Sequence, residues 1–541
     1  MLTLSQQFRY LIESPRMAPA AEPSLPETPL FSVRLLWLLI GLGVAWRCVR
    51  YFLQFPIWPD EAYVSLNLIH QTYGGLAQPL RFIQVAPYFF LCTELWLYQW
   101  LGGSELALRL VAFAAGVGGL LLFIRLAHAM LDASSARLAA GILAVSYFCV
   151  QYSAEVKPYS VDLAVAVGLL LLGYRWLREP GAWRWPLVLA CFMPVAMGFS
   201  YPSVFVAGGI GLTLFIAWLR RPTWRGFLQL VLVGASLIVS FGAFYLLVGK
   251  GQFQSAGAEQ NPFWGEWFFP WKTPLTWPRW LWDTHAGALM AYPLGQRDGA
   301  STLTLVLFII GVVTMVRRRR GMELTMLLAP FVLTMVASAL HKYPYGGNAR
   351  VAQHLAPAII LLAGLGGVQV LRWMMGRASG ASPEARRVVA RFAPMAVVGV
   401  LVAIGAGGIV RDMVFPSKSV NDLMARRMPI EMSELAPPGT PIVIVGKPDQ
   451  LMTGLEWYLT RLPNPWIWSS ELPAKASALG DRALVLILRR HKTDLSTALQ
   501  KMGMVDWEVE TERIYDMEQK LSHEREYYQH RLVVVRRGYQ E

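Results

Sequence analysis

Two adjacent acidic residues follow the first apolar segment of the chain. Asp60 and Glu61 stand in the run FPIWPDEAY, residues 55–63, and Arg81 and Gln84 come later in the same connection. A positioned carboxylate can act as a general base that accepts a proton from an attacking hydroxyl group, with nearby polar groups in support. Alternatively, Pro59 fits the turn that ends the first span, and Asp60 caps an interfacial helix that follows. The pair therefore predicts either a catalytic base or a helix cap.

A second polar segment, QYSAEVKPYSVD, spans residues 151–162 and contains Glu155, Lys157, Tyr159 and Asp162. One interpretation is a solvated turn in which Glu155 and Lys157 pair and the next helix begins at Pro158. Asp162 argues for a site, because it lies in an otherwise apolar run where a carboxylate needs a partner or a function. We interpret these four residues as candidates for substrate binding.

A third segment, HKYPYGGNAR, spans residues 341–350. It predicts an anion site, since two glycines let the backbone approach a phosphate and Arg350 offers two parallel donors. His354 would lie one helical turn after Arg350 on the same face. The alternative is a group of interfacial cations that extend towards water. The candidate ligand-binding residues of this segment are His341, Lys342, Tyr345, Arg350 and His354.

The connection at 250–300 is rich in tryptophan and phenylalanine. Such a density of aromatic residues is typical of a membrane-interface belt, and secondarily of a wall against sugar rings or isoprenoid chains. His285, Arg297 and Asp298 are further candidate site residues in this connection.

The composition excludes a soluble globular protein. The 541-residue chain is 55% hydrophobic and 16% charged, with a mean hydropathy of +0.40, whereas soluble domains are about 45–50% apolar and 25% charged. The net charge of +14 comes from short basic clusters between apolar runs, which are typical of topology signals and not of nucleic-acid binding. The four cysteines match no disulfide or zinc spacing and are interpreted as small core residues.

Apolar runs close to the ~20 residues that a helix needs to cross a bilayer predict about eleven transmembrane helices. Segment 87–101 is short and carries Glu94, and we interpret it as an interfacial helix because the basic clusters then share one side. This orientation places the N-terminus in the cytoplasm and all four polar connections outside. The approximate spans are 32–52, 104–127, 137–152, 160–177, 184–199, 201–219, 226–248, 301–316, 322–340, 351–373 and 389–411.

Three regions are expected along the chain. Residues 1–31, proline-rich and without an apolar core, predict a disordered cytoplasmic tail and not a cleaved signal. Residues 32–411 predict the transmembrane domain, with outer loops 53–103, 250–300 and 341–350. Residues 412–541 have a soluble composition and predict a small extracytoplasmic α/β domain. Its expected strands are 441–445, 483–488 and 532–535, with a helix over 450–461.

The order of these motifs resembles the GT-C superfamily of membrane glycosyltransferases, and within it the branch of protein mannosyltransferases and lipid A aminoarabinose transferases, family 39-like. The resemblance covers about residues 32–375. An Asp-Glu pair after the first span, the YSAEVKPYS segment, the KYPYGGNAR…QHLAP segment and a tail domain carry it. It implies an all-α polytopic domain of GT-C type and a cell-envelope enzyme of the cell inner membrane.

The resemblance also implies an activity and partners. Such enzymes move a hexose or pentose from a polyprenyl-phosphate donor to a protein, lipid or glycan acceptor at the extracytoplasmic face. By position, Asp60 resembles the catalytic carboxylate, Glu61 its neighbour, and Arg350 the cation that meets the carrier phosphate. Lys342 and His354 would help Arg350 to stabilise the leaving phosphate, with inversion at the sugar carbon.

One residue of this chain departs from the family pattern, and the need for a metal ion stays open. Gln84 stands where many relatives have a histidine. A divalent metal ion stays open as a cofactor, because Asp60, Glu155, Asp162 and His285 could supply ligands, although no spacing demands one.

Two other classes of protein are alternatives. A polytopic transporter or flippase for a lipid-linked or anionic substrate predicts charges at mid-membrane, broken helices or repeats, and the spans show almost none of these. A membrane scaffold that presents the tail domain would not need carboxylates, arginines and histidines gathered on one side.

The basic clusters yield a testable orientation. A cysteine placed in the 412–541 domain of a variant without the four native cysteines should react with a membrane-impermeant thiol reagent in intact cells, because the clusters hold the opposite side in the cytoplasm. A cysteine beside Arg317 is the control and should stay protected until the cells are permeabilised. The reverse labelling pattern would invert the topology.

Overall fold

The computed structural model describes residues 29–255, 262–296, 299–377, 383–445, 450–471, 479–488, 499–500, 502, 504, 506–520 and 525–537. The expected tail at 1–28 and two candidate site residues, Arg297 and Asp298, lie outside the described residues.

Helices build the membrane domain, because a backbone in hydrocarbon must pair its own amide and carbonyl groups. In chain order they are α1 Val33–Phe52, α2 Pro59–Ser65, α3 Tyr88–Leu101, α4 Glu105–Met130, α5 Ala133–Ala144, α6 Tyr147–Gln151, α7 Tyr159–Arg178, α8 Arg184–Phe199, α9 Ser203–Arg220, α10 Trp224–Phe244, α11 Lys250–Ser255, α12 Pro262–Gly265, α13 Trp277–Asp283, α14 Thr302–Arg317, α15 Gly321–Ala339, α16 Ala356–Arg377 and α17 Pro383–Val414.

The helices confirm a multi-pass membrane protein. Within the described ranges, eight helices are long and apolar enough to cross a membrane, and the bent pair α5 and α6 would make a ninth. Helices α8 and α14 are apolar but shorter. Every one of the eleven predicted positions is therefore helical, while the number of crossings stays a prediction.

A break between α5 and α6 directs the second polar segment towards the first. The two helices bend by 54° at the break. The buried guanidinium of Arg47 on α1 donates to the carbonyl oxygens of Ala144 (2.8 Å) and Gly43 (2.9 Å), which satisfies one of the carbonyls freed by the break. Arg47 is thus a buried charge within the first span, although it lies away from the centre of the span, where the sequence predicts almost no charge.

Two short helices follow α1 and carry the first polar connection. Helix α2 begins with Pro59 at its first position, and its N-cap is Trp58, so Asp60 does not cap it. The capping interpretation of Asp60 is therefore wrong. Helix α3 has 14 residues, and the side chain of Glu94 is buried within it. Burial, and secondarily the charge of Glu61, hold the pKa of Glu94 well above its ordinary value.

After α17 and the helix α18, Val420–Leu435, comes a five-stranded sheet. The remaining elements are β1 Ile442–Val445, α19 Gln450–Leu459, β2 Trp466–Trp468, β3 Arg482–Ile487, β4 Trp507–Lys520 and β5 Arg525–Arg537. The sheet order is β2-β1-β3-β5-β4, parallel across β2, β1 and β3 and antiparallel across β3, β5 and β4. The three predicted strands are confirmed. Two strands were missed, because β2 has only three residues and β4 lacks the continuous apolar run of a buried strand.

The tail domain rests on the connection that holds Asp60. Tyr458 of α19 accepts a hydrogen bond from the Ile57 amide (2.8 Å) and donates one to Glu105 (3.1 Å). Arg426 of α18 donates to the Gln54 carbonyl oxygen (2.8 Å). The backbone that leads to Trp58 is therefore held by residues that lie far away in the sequence.

Candidate active site

A buried ion pair anchors α2. Arg109 of α4 donates to both carboxylate oxygens of Glu61, from Nε at 2.8 Å and from Nη2 at 2.7 Å, and both side chains are 1% exposed. The same guanidinium reaches the Phe55 carbonyl oxygen (2.6 Å), and Glu61 also accepts from the Val156 amide (2.8 Å). Both carboxylate oxygens of Glu61 are thus occupied in joining three segments. This structural role differs from the catalytic role predicted for Glu61.

Asp60, the neighbour of Glu61, points away from Arg109 and lies between two other cations, Lys157 and Arg350. Its Oδ1 is 2.9 Å from the Lys157 ammonium, and its Oδ2 is 3.0 Å from Nη1 of Arg350. Its side chain is 18% exposed, so the carboxylate is within reach of a ligand. One carboxylate thus joins the first, second and third polar segments of the sequence.

The charges around Asp60 determine its protonation. Burial alone would raise the pKa of Asp60, but the positive charges of Lys157 and Arg350 outweigh burial, and the pKa lies below its ordinary value. For Lys157, burial lowers the pKa, and the attraction of Asp60 offsets only part of that effect. Asp60 is therefore ionised and paired when no ligand is bound.

Lys157 and Gln84 lie in contact. The Lys157 ammonium donates to the side-chain oxygen of Gln84 at 2.7 Å as well as pairing with Asp60, and the lysine is buried. Gln84 itself donates to the Phe82 carbonyl oxygen. The residue that departs from the family pattern thus still reaches the Asp60 cluster, as a hydrogen-bond partner of Lys157.

Glu155 has its own cation, which comes from outside the predicted membrane domain. Lys418, in the link between α17 and α18, lies 2.5 Å from Oε1 of Glu155, and its ammonium is 3.5 Å from the centre of the Trp58 ring. Gln151 also donates to Glu155 at 2.8 Å.

Gly346 and Gly347 of the third segment leave room for neighbouring side chains, at the place where the sequence predicts a phosphate. A Cβ at Gly347, whose φ is +82°, would lie 2.0 Å from the Trp267 ring, and one at Gly346 would lie 2.5 Å from Thr284. These contacts explain both glycines without a phosphate, and the approach of a phosphate to this backbone stays a prediction. The role of both glycines is to let the tryptophan-rich connection pack against the Arg350 loop.

Arg350 lies under this tryptophan-rich connection. Its guanidinium carbon is 5.4 Å from the ring centre of Trp267 and 6.0 Å from that of Trp264. Its Nε is buried and without a hydrogen-bond partner among the described residues. Since an arginine offers five donors, Arg350 has donors left for a ligand while one of its nitrogens binds Asp60.

A cavity of about 740 Å³ opens between α9, α10, α11 and α15. Aromatic residues make up much of its lining, and three basic residues, Lys250, His341 and Lys342, also border it. Gln252 links the cavity wall to the Gln84 segment, because its side-chain oxygen accepts from both Tyr201 (3.2 Å) and the Ala86 amide (3.1 Å). His341 and Lys342 thus lie at an apolar cavity with a basic border.

Two candidate residues of the third segment, His354 and Tyr345, are buried. His354 is buried, its Nε2 lies 3.1 Å from Thr334, and burial lowers its pKa to about 3, so it is neutral and supplies no positive charge. Tyr345 is buried too, and its hydroxyl lies 3.1 Å from Nε2 of His285 and not at Asp60. Since Ala349–Ala352 is a 3-10 turn, Arg350 and His354 do not share one α-helical face.

The remaining candidates lie apart from the cluster or beside it. Arg81 is 63% exposed and faces Glu456 of the tail domain at 3.5 Å. Asp162 is buried on α7, and its Oδ1 has no hydrogen-bond partner among the described residues. Tyr159 packs edge-on against Tyr152, whose hydroxyl lies 3.1 Å from Asn348, two residues before Arg350.

The metal-ligand candidates do not gather. Within the described ranges, no three His, Cys, Asp or Glu side chains are close enough to hold one ion. Asp60 and Glu155 are each paired with cations, and His285 bonds to Leu281 and Tyr345. These residues do not fit a metal site.

Sequence reasoning missed Arg109 and Lys418. Arg109 lies in the predicted span 104–127, and a charged residue in an apolar helix was the available signal. For Lys418 no local signal exists, because it stands in the link after the last span and only the fold carries it back to Glu155.

Comparison with known proteins agrees with this architecture. The sequence profile of the dolichyl-phosphate-mannose-protein mannosyltransferase family matches residues 85–244. No curated protein sequence matches the chain. Solved structures that are similar to it include two of ArnT from Cupriavidus metallidurans and one of an archaeal oligosaccharyltransferase.

ArnT bound to undecaprenyl phosphate superposes with a TM-score of 0.52 at 14% identity, over 93% of this chain and 98% of ArnT. Apo ArnT gives 0.52 at 15% identity over the same shares. The apo oligosaccharyltransferase of Archaeoglobus fulgidus gives 0.45 at 13% identity, over 87% of this chain and 71% of that enzyme. The chain has the GT-C fold, and with the profile match this supports its place in the GT-C superfamily of membrane glycosyltransferases, as the sequence resemblance predicted.

The Glu61–Arg109 pair makes a prediction about stability. Arg109→Met should lower the free energy of unfolding by about 3–5 kcal/mol, because it leaves Glu61 as an unpaired buried charge. Arg184→Met is the matched control: it breaks an exposed pair with Glu179, which should cost at most about 1 kcal/mol. Chemical unfolding in detergent micelles measures both, and equal losses would refute the anchoring role.

Proposed function

We propose that this protein transfers a sugar from a polyprenyl-phosphate donor to a hydroxyl-bearing acceptor, with Asp60 as the general base. The single observation that carries the proposal is the position of Asp60, partly exposed between Lys157 and Arg350. A carboxylate beside two cations is suited to a reaction in which a proton is accepted and an anion leaves.

The cavity supports a lipid-linked donor. An isoprenoid chain needs an apolar, largely aromatic wall, and the phosphate needs cations near its end. The 740 Å³ cavity offers the wall, and Lys250, His341 and Lys342 border it. ArnT, which shares the fold, was solved with undecaprenyl phosphate. We extend this class of ligand to this chain because the cavity and its basic border suit it.

The reaction follows from these positions. The acceptor oxygen attacks the anomeric carbon of the donor and forms the new glycosidic bond, and Asp60 takes the hydroxyl proton. The bond from that carbon to the phosphate oxygen breaks, and the polyprenyl phosphate leaves with an additional negative charge. Arg350 and Lys157 stabilise that charge, so no general acid is needed. Attack opposite the leaving group inverts the configuration.

Donor binding would also activate the base. In the free site the two cations lower the pKa of Asp60 in spite of its burial. A bound phosphate shares Lys157 and Arg350 and adds a negative charge, and both effects raise the pKa of Asp60. Asp60 thus becomes a stronger base only when the donor is in place.

Glu61 has a different part in this proposal. Its carboxylate is occupied by Arg109 and the Val156 amide, so we assign it a positioning role instead of the catalytic role predicted from sequence. We place the reaction at the extracytoplasmic face, with the N-terminus in the cytoplasm and the domain after residue 411 outside, on the basis of the basic clusters.

The direct test is sugar transfer by the purified protein from labelled polyprenyl-phosphate donors to candidate acceptors. Transfer with inversion supports the proposal. A protein that moves the labelled lipid across vesicle membranes without any transfer would instead be a flippase, the alternative expected from the sequence.

Asp60→Asn separates chemistry from binding. The amide oxygen can still accept from one of the two cations, but the amide cannot take a proton, so turnover should fall by about 10²–10⁴. Undecaprenyl phosphate should bind at least as tightly as to the wild type, because a competing negative charge is gone. Equilibrium binding and turnover measured on the same preparation give both values. Full turnover would remove Asp60 as the base.

The pH dependence of the wild type provides a second readout on Asp60. The acid limb of kcat/KM reports the free enzyme and that of kcat the donor complex. The acid limb of kcat should therefore lie at higher pH than that of kcat/KM. Coincident limbs would contradict the exchange of cations between Asp60 and the phosphate.

Arg350 should contribute to donor binding through its two-pronged geometry. Arg350→Ala should weaken donor binding by about tenfold to 150-fold, the value of a hydrogen bond to a charged group. Arg350→Lys should lose less, because it keeps the charge but not the fork. Arg279→Ala, in an exposed pair with Asp283, is the control. Wild-type donor affinity in both Arg350 variants would exclude this residue from the site.

A further inference from the structure

The link between the last long helix and the tail domain is fixed at both ends. At its start, Asp412 is completely buried and accepts from Arg50 (2.7 Å) and from the Trp46 indole (2.8 Å). At its end, Ser419 caps α18 by accepting from the Asp422 amide. Lys418 lies between these two fixed points, so its position over Trp58 follows from how both domains are anchored.

The contacts of Lys418 lead into the Asp60 cluster. Its ammonium pairs with Glu155 at 2.5 Å and lies 3.5 Å from the centre of the Trp58 ring. Trp58 is the N-cap of α2, two residues before Asp60, and Glu155 stands two residues before Lys157. Lys418 therefore contacts both segments that position the central carboxylate and its lysine.

The charge balance of the site explains what Lys418 contributes. Glu155 is 2% exposed at its side chain, and Lys418 is the cation within ion-pair distance of it in the described part of the chain. The Glu155 charge also acts on Lys157, which is the partner of Asp60. A buried carboxylate left without its cation is costly, and Lys157, on which the Glu155 charge already acts, is available to pair with it.

We infer that Lys418 is a positioning residue of the active site: by neutralising Glu155 it keeps Lys157 on Asp60, and so couples docking of the tail domain to catalysis. This inference rests on the proposed function. The inference means that the two buried carboxylates, Glu61 and Glu155, each need a cation of their own, and that the link supplies the one for Glu155.

The test compares three variants by turnover per folded molecule. Lys418→Met should lower kcat/KM by up to about 100-fold, because small displacements of catalytic groups cost about that much. Lys418→Arg, which keeps the charge, should retain most of the activity. The double variant Lys418→Met with Glu155→Gln should recover at least several-fold over Lys418→Met alone, since the unpaired charge that attracts Lys157 is gone.

Arg427→Met is the matched control, because it removes a cation of the same domain that pairs with Glu431 away from the site. It should leave kcat/KM unchanged. Thermal unfolding of each variant separates a loss of stability from a loss of turnover, and a purely structural lysine would change only the former.

The outcomes are distinct. If the wild type transfers sugar and Lys418→Met matches it per folded molecule, or if the second substitution restores nothing, the inference fails and the proposed function stands. A wild type that neither binds undecaprenyl phosphate nor transfers sugar overturns the proposed function, and this inference with it.

Discussion

The buried ion pair between Glu61 and Arg109 is the constraint on which the site depends. The guanidinium holds the Glu61 carboxylate and the Phe55 carbonyl oxygen, and the carboxylate holds the Val156 amide. A short helix at the end of a span has little stability of its own, so this pair fixes α2. Because Asp60 is next to Glu61, the same pair places Asp60 beside Lys157.

Around this anchor, each carboxylate of the site is paired with at least one cation. Glu61 has Arg109, Glu155 has Lys418, and Asp60 has both Lys157 and Arg350. A site in which every charge is neutralised tolerates burial, whereas one unpaired charge would cost several kcal/mol. The pairing of Asp60 differs from the other two, because its partly exposed carboxylate can yield its cations to an entering anion.

Sequence patterns predicted the parts of the fold that depend on hydrophobicity alone. The eleven apolar runs are helical, and three continuous apolar segments in the tail are buried strands. Strand β4 is rich in charged residues and has only a few apolar ones, so it lacks the pattern of a buried strand. The sequence predicts a phosphate close to the backbone of Gly347, and the structure shows that this glycine makes room for the Trp267 ring. A glycine in the sequence indicates that another group approaches the backbone closely, but only the tertiary structure identifies that group.

Sequence patterns alone predicted the class of protein and three polar segments, and they singled out Asp60, Lys157 and Arg350 as candidates for one site. Tertiary structure decided which neighbours each charge has: it turned Glu61 to Arg109, buried His354 as a neutral ring and brought Lys418 to Glu155. The physical reason is distance. Hydrophobic periodicity is encoded over a few neighbouring residues, whereas an ion pair forms within about 4 Å in space, between residues that are up to several hundred positions apart in the chain.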